Sequence, residues 1–104
     1  MRLRRASLRR VGVPPVRETR VERALTTSVR ARSGWAIKFL PSVAGLPDRI
    51  VLLPGGRIIF VELKAPGKSA EAHQLVVHGR LRRLGFQVEV LSSVAQVEEW
   101  AATL

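Results

Sequence analysis

Asp48 ends the segment GLPD, and Glu62 and Lys64 end the apolar run RIIFVELK. Side chains alternate faces along a strand, so Glu62 and Lys64 point the same way, together with Ile58 and Phe60. RIVLL at 49–53, the turn residues Pro54-Gly55-Gly56 and RIIFVEL at 57–63 predict a β-hairpin. In a hairpin, the residue that opens one strand shares a sheet edge with the residue that ends the other, so Asp48 and Glu62 are expected to be neighbours. Two carboxylates converging on one point repel each other unless a hard cation sits between them. Mg²⁺ or Mn²⁺ suits that arrangement, because both take oxygen ligands and retain bound waters. A lysine beside such an ion can orient or deprotonate a water, or neutralise charge growing on a phosphate. Taken alone, Glu62 and Lys64 have a plainer reading, as a partly exposed ion pair at a strand end. A glutamate buried there needs either the cation or the lysine to hold its charge.

The surrounding elements must bring these groups together. Val21, Ala24, Leu25, Ser28 and Val29 recur at helical spacing and predict a helix from Val16 to about Arg32, stopped at Ser33-Gly34. WAIKFL (35–40) reads as a strand and PSVAGLP (41–47) as a loop. APGK (65–68) breaks the second hairpin strand. Ser69 then stands where an N-cap belongs, and a helix runs to Gly85 with arginines in its last turn. FQVEVL (86–91) is an alternating strand, and Ser92 or Ser93 caps a final helix over VAQVEEWAATL.

The order helix, strand, strand, strand, helix, strand, helix predicts the α/β class: a small mixed β-sheet with a central hairpin, flanked by helices. The helix between two strands implies a right-handed crossover and a parallel pair. Strand 57–63 is apolar on both faces and is expected at the centre. Residues 1–15 form a basic arm, expected to be flexible, and 16–104 form the domain.

The charge balance points to the partner. The chain of 104 residues carries 18 Lys plus Arg against 8 Asp plus Glu, a formal +10. Such an excess favours polyanions, nucleic acid above an anionic membrane surface. With no cysteine, disulfides, thiolate zinc sites and cysteine nucleophiles are excluded, which suits a reducing cytoplasm. No stretch approaches the about 20 consecutive apolar residues of a membrane span. Pro54-Gly55-Gly56 lacks the GK[ST] of a phosphate-cradling loop, so no nucleotide cofactor is expected. His73 and His78 lack the HExxH pattern and are expected at the surface or against phosphate. Trp35 and Trp100 are expected in the core or an interface.

GLPD at 45–48 and ELK at 62–64 across a hairpin resemble the PD-(D/E)xK nuclease signature. More closely, Val21 to Trp100 resembles the stand-alone VRR-NUC (virus-type replication-repair nuclease) branch of that superfamily. The stretches that carry the resemblance are VERAL, IKFL, GLPDRIVLLPGGRIIFVELKAPGK, the helical Gln74 and LRRLGFQVEVLSSVAQVEEW. The loop residues PSVA before Gly45 depart from it by being less basic. The resemblance implies a restriction-endonuclease-like core and a Mg²⁺-dependent deoxyribonuclease in which Mn²⁺ substitutes. It implies Asp48, Glu62 and the Leu63 carbonyl as metal ligands, assisted by Glu22, with Lys64 as the catalytic lysine. Gln74 would help to place the water or the phosphate. It implies a homodimer, whose two-fold axis suits branched DNA such as a four-way junction. Lys38, Arg49, Lys68, His73 and Arg80 are the candidate DNA contacts. Arg82 and Arg83 could join Arg80 on the backbone or complement the helix dipole. The rival reading is a non-catalytic basic DNA-binding module on the same fold, a subunit of a repair or packaging complex.

Overall fold

Val21, Leu25 and Val29 form a buried stripe on helix α1 (Val16–Arg30). The computed structural model describes residues 16–38, 40 and 42–104, so the basic arm expected over 1–15 lies outside the described residues. Helix α1 closes slightly earlier than Arg32. Ser33 adopts a left-handed φ of 62°, and the Gly34 N–H donates to the Val29 carbonyl at 2.9 Å, which turns the chain out of the helix.

Four strands follow: β1 (Trp35–Lys38), β2 (Arg49–Leu53), β3 (Arg57–Leu63) and, after an intervening helix, β4 (Gln87–Leu91). The sheet order is β1-β2-β3-β4. β1 and β3 both pair antiparallel with β2, while β3 and β4 are parallel. The α/β class, the mixed sheet and the central position of the second hairpin strand are therefore as expected. The strand expected over 35–40 is β1, and its Phe39 lies outside the described residues.

Helix α2 (Ala72–Arg83) begins later than Ser69. Its N-cap is Glu71, whose backbone N–H donates to Gln74 Oε1 at 2.9 Å. Ser69 has Ala72 three residues on, with no side chain to return a hydrogen bond, whereas Glu71 has Gln74 in the capping-box position. Helix α3 (Val94–Ala101) is capped by Ser93, whose Oγ accepts from the Gln96 N–H at 3.1 Å.

The core lies between α1, α3 and one face of the sheet. Val51 and Leu53 of β2, Ile59, Val61 and Leu63 of β3, and Leu91 of β4 meet Leu25, Val97 and Trp100 there. Trp100 is thus a core residue, whereas Trp35 is exposed. The opposite face carries Phe60 and Val88, paired in register, and receives α2. Phe60 also meets Phe86 edge to face at a centroid distance of 5.5 Å.

The loop that leads into Asp48 is fixed to α2 at Gly45. Its φ is +94°, and a Cβ there would sit 2.7 Å from Val77 Cγ2 and 2.9 Å from the His73 carbonyl oxygen. Only glycine meets both demands cheaply. Gly45→Ala is therefore expected to destabilise the fold by about 1–3 kcal/mol, measured by urea denaturation.

Candidate active site

Arg49 pairs with Val61 in the hairpin register. One step outward, Asp48 and Glu62 therefore face each other at the end of the ladder. Asp48 Oδ1 accepts from the Leu63 backbone N–H at 3.4 Å, which holds the loop carboxylate against the end of β3. Glu62 is 6% exposed. Its Oε2 accepts from Gln74 Nε2 at 3.2 Å and lies 3.5 Å from Lys64 Nζ. Its Oε1 is buried and has no hydrogen-bond partner. Burial raises the Glu62 pKa above the ordinary carboxylate value, and the Asp48 charge adds to the rise. Lys64 and Gln74 pull it down less strongly.

A buried carboxylate oxygen without a donor, beside a second carboxylate, is the donor set that a hard divalent cation satisfies. Asp48, Glu62 and the Leu63 carbonyl have the chemistry to hold one. Among the described residues no three His, Cys, Asp or Glu side chains converge as a metal-binding group. Glu22, expected to assist the ion, meets two basic side chains. Its Oε2 accepts from Arg49 Nη2 and lies 3.8 Å from Lys38 Nζ.

Arg49 departs most from its expected place among the DNA contacts. It is 5% exposed. Besides Glu22, its guanidinium holds Asp48, with Nη1 donating to Oδ2 at 2.5 Å. The signal was present in the strand period: Arg49, Val51 and Leu53 share a face, and Val51 and Leu53 are core residues. An arginine on a core face requires acids to meet it.

Gln74 is held at both ends of its side-chain amide. Its Oε1 is taken by the Glu71 N–H and its Nε2 reaches Glu62, so its amide pins the carboxylate to the start of α2. His78, expected at the surface or against phosphate, is fully buried one turn further along α2. Burial lowers its pKa, and Arg82 and then Lys64 lower it further, so it packs as the neutral ring. Arg82 is committed to the fold, donating from Nη2 to the Val88 carbonyl at 2.6 Å. Lys38, Lys68, His73 and Arg80 are exposed, as DNA contacts must be. His73 Nδ1 lies 3.9 Å from Glu71 Oε1.

No protein-family model matches the chain. A phage protein does: over 79 residues the chain is 51% identical to "Putative nuclease p44" of Acyrthosiphon pisum secondary endosymbiont phage 1. That match spans 75% of this chain and 85% of the phage protein. Among solved structures, a VRR_NUC domain superposes with a TM-score of 0.77 at 33% identity, over 85% of this chain and 97% of that one.

The raised Glu62 pKa has a consequence for stability. Between the unfolded value of 4.5 and the raised folded value, the native state binds more protons than the unfolded state. Glu62 therefore stabilises the fold at pH 4.5 and below, and that contribution is lost as pH rises through the folded pKa. In EDTA, Glu62→Gln is expected to remove this part of the pH dependence, so the variant gains on the wild type as pH rises from 4.5 to 7. Denaturant midpoints measured across that range check it.

Proposed function

Because the chain belongs to the VRR-NUC family of nucleases, we propose that it is a Mg²⁺-dependent deoxyribonuclease that hydrolyses phosphodiester bonds in branched DNA. We propose further that it works as a homodimer on substrates such as a four-way junction. The observation that carries the reading is the buried, unpartnered Oε1 of Glu62 across the hairpin step from Asp48.

Asp48, Glu62 and the Leu63 carbonyl would hold the ion, which when bound polarises a phosphoryl oxygen and acidifies a water. The chain's own groups supply the rest. Lys64 is mostly buried beside Glu62, with its ammonium at the edge where the scissile phosphate must approach. A positive charge there neutralises charge growing on the phosphate oxygens, and its low-dielectric setting strengthens the effect. Gln74 keeps Glu62 aimed by holding Oε2, which leaves Oε1 for the ion. Asp48 is kept close by the Leu63 N–H, so both carboxylates are in place before substrate arrives.

The substrate reading draws on charge and shape. The formal charge of +10 favours a polyanion. An open cleft of about 410 Å³ between α1 and β1, lined by Thr19, Glu22, Arg23, Thr26, Lys38 and Arg49, reaches the arginine that holds Asp48. Lys38 and Arg23 on its walls suit a phosphodiester backbone passing toward Asp48. The two-fold symmetry of a junction matches a pair of such sites, and a single small domain has limited surface to grip a duplex. Leu75 and Val76 on α2 and the nearby Leu84 and Phe86 are exposed apolar side chains of the kind that a second copy covers. Among the described residues, no helix is long and apolar enough to cross a membrane.

Incubation with plasmid, linear duplex and synthetic four-way junctions tests this reading, with Mg²⁺ or with EDTA. Cleavage is expected with Mg²⁺ alone, fastest on the junction, by a particle of twice the chain mass in light scattering. Asp48→Asn is expected to abolish cutting and Lys64→Ala to slow it about 10²–10⁴-fold, while salt-sensitive DNA binding survives. Absence of metal-dependent cleavage on every DNA form would leave the basic DNA-binding module in its place.

A further inference from the structure

Arg20, Arg23 and Arg30 follow one another on α1 at spacings of three and seven, which puts them on one face of the helix. All three are exposed, and among the described residues none has an ion pair or a side-chain hydrogen bond. Arg32 differs, because its Nη1 donates to the Ser28 carbonyl at 2.9 Å and is committed to the helix end. Like charges one turn apart repel, so this row costs the helix some stability. A plain solvated face has no need of that cost. The three guanidinium forks are free to meet phosphate oxygens.

The row is also placed where DNA must pass. Arg23 stands on a ridge between two hollows: the cleft that holds Lys38, and a groove of about 310 Å³ between α1 and α3 lined by Arg20, Thr27, Ser28 and Glu98. Arg20 continues into a third hollow of about 230 Å³, walled by Pro66 and Ser93. Pro66 lies two residues beyond Lys64, and Ser93 lies two beyond Leu91, the partner of Leu63. Arg20 is thus at the sheet edge that carries Glu62. Arg30 is at the other end, since Gly34 packs beside Val29 and Leu53 near the hairpin turn. From Arg20 to Arg30 the helix rises about 15 Å, the axial rise of about four phosphates of one strand. Among the described residues no aromatic side chain lines these hollows, so bases of a single strand have nothing to stack on there.

We propose that the outer face of α1 is a docking surface for the phosphate backbone of duplex DNA. Arg20, Arg23 and Arg30 grip the arm that flanks the scissile bond, and the exposed Glu98 in the same groove weakens that grip. The inference deepens the reading above by saying where the flank of the substrate lies, and it rests only on the nucleic-acid part of that reading. Contacts of this kind set register and orientation on the duplex and carry no sequence information.

Fluorescence anisotropy of a labelled linear duplex, titrated with the full chain in EDTA at several KCl concentrations, tests this without cleavage. Arg20→Gln, Arg23→Gln and Arg30→Gln are each expected to lower the steepness of log affinity against log salt by about one unit. The triple variant is expected to bind about 10–100-fold more weakly at low salt. Glu98→Gln is expected to tighten binding. Arg83→Gln removes the same charge from α2, across the sheet, and is expected to keep the wild-type steepness. Arginine variants on α1 that behave like Arg83→Gln would show a diffuse field and overturn the proposal. So would losses confined to a single strand of the same length, or no gain on Glu98→Gln. Should an arginine variant fail to fold by circular dichroism, Glu98→Gln still decides. A wild type that binds in the expected pattern but cuts no DNA sinks the nuclease reading alone. Normal duplex binding by the arginine variants of a chain that cuts DNA sinks this inference alone.

Discussion

The structure depends on one awkward electrostatic fact: two carboxylates are held face to face at the open end of a hairpin, away from its turn, and one of them is buried. Glu62 is 6% exposed with Asp48 across the next step of the ladder, and its Oε1 has no donor. Desolvation and like charge both act against ionising it, and its pKa rises accordingly. A fold retains such a site only when nearby groups offset part of the cost. Lys64 and Gln74 do so on the α2 side of the sheet, and Arg49 does so for Asp48 from the core side. The arrangement resembles a socket: enough donors to hold the acids in place, and one oxygen short of being satisfied without a cation.

This constraint explains the layering. β3 is central and covered on both faces: Ile59, Val61 and Leu63 enter the core on one side, and Glu62 stands on the other, which α2 covers. α2 must cover the other face closely enough for Gln74 to reach Glu62, and the fully buried His78 follows Gln74 by one turn along the same helix. The Gly45 turn must sit against α2 so that the preceding loop delivers Asp48 to the right step. The exposed basic residues outside α1, by contrast, are spread over several elements and add a long-range field more than a specific contact.

Much of this was legible in the residues. The hairpin, its turn and the pairing of Asp48 with Glu62 follow from two β-branched runs around Pro-Gly-Gly, because register in a tight hairpin leaves little freedom. The crossover from β3 to β4 follows from a helix placed between two strands. What escaped was set by packing between elements distant in sequence. Arg49 looked like a surface cation until α1 placed Glu22 over it, although its period-two kinship with Val51 and Leu53 pointed inward. His78 sits on a helix whose apolar pattern is weak, so nothing local marked the residue that faces the sheet. Serine is a good cap in general, which points to Ser69, while here the Glu71–Gln74 pair provides the return bond and starts α2 later.

The central claim is that Asp48 and Glu62 share a divalent cation. A crystal of the protein soaked in Mn²⁺, with data collected at the manganese edge, tests it most directly. The account predicts an anomalous peak within bonding distance of a side-chain oxygen from each acid and of the Leu63 carbonyl. A peak elsewhere, or a lysine ammonium occupying that space with no ion bound at saturating Mn²⁺, would contradict it.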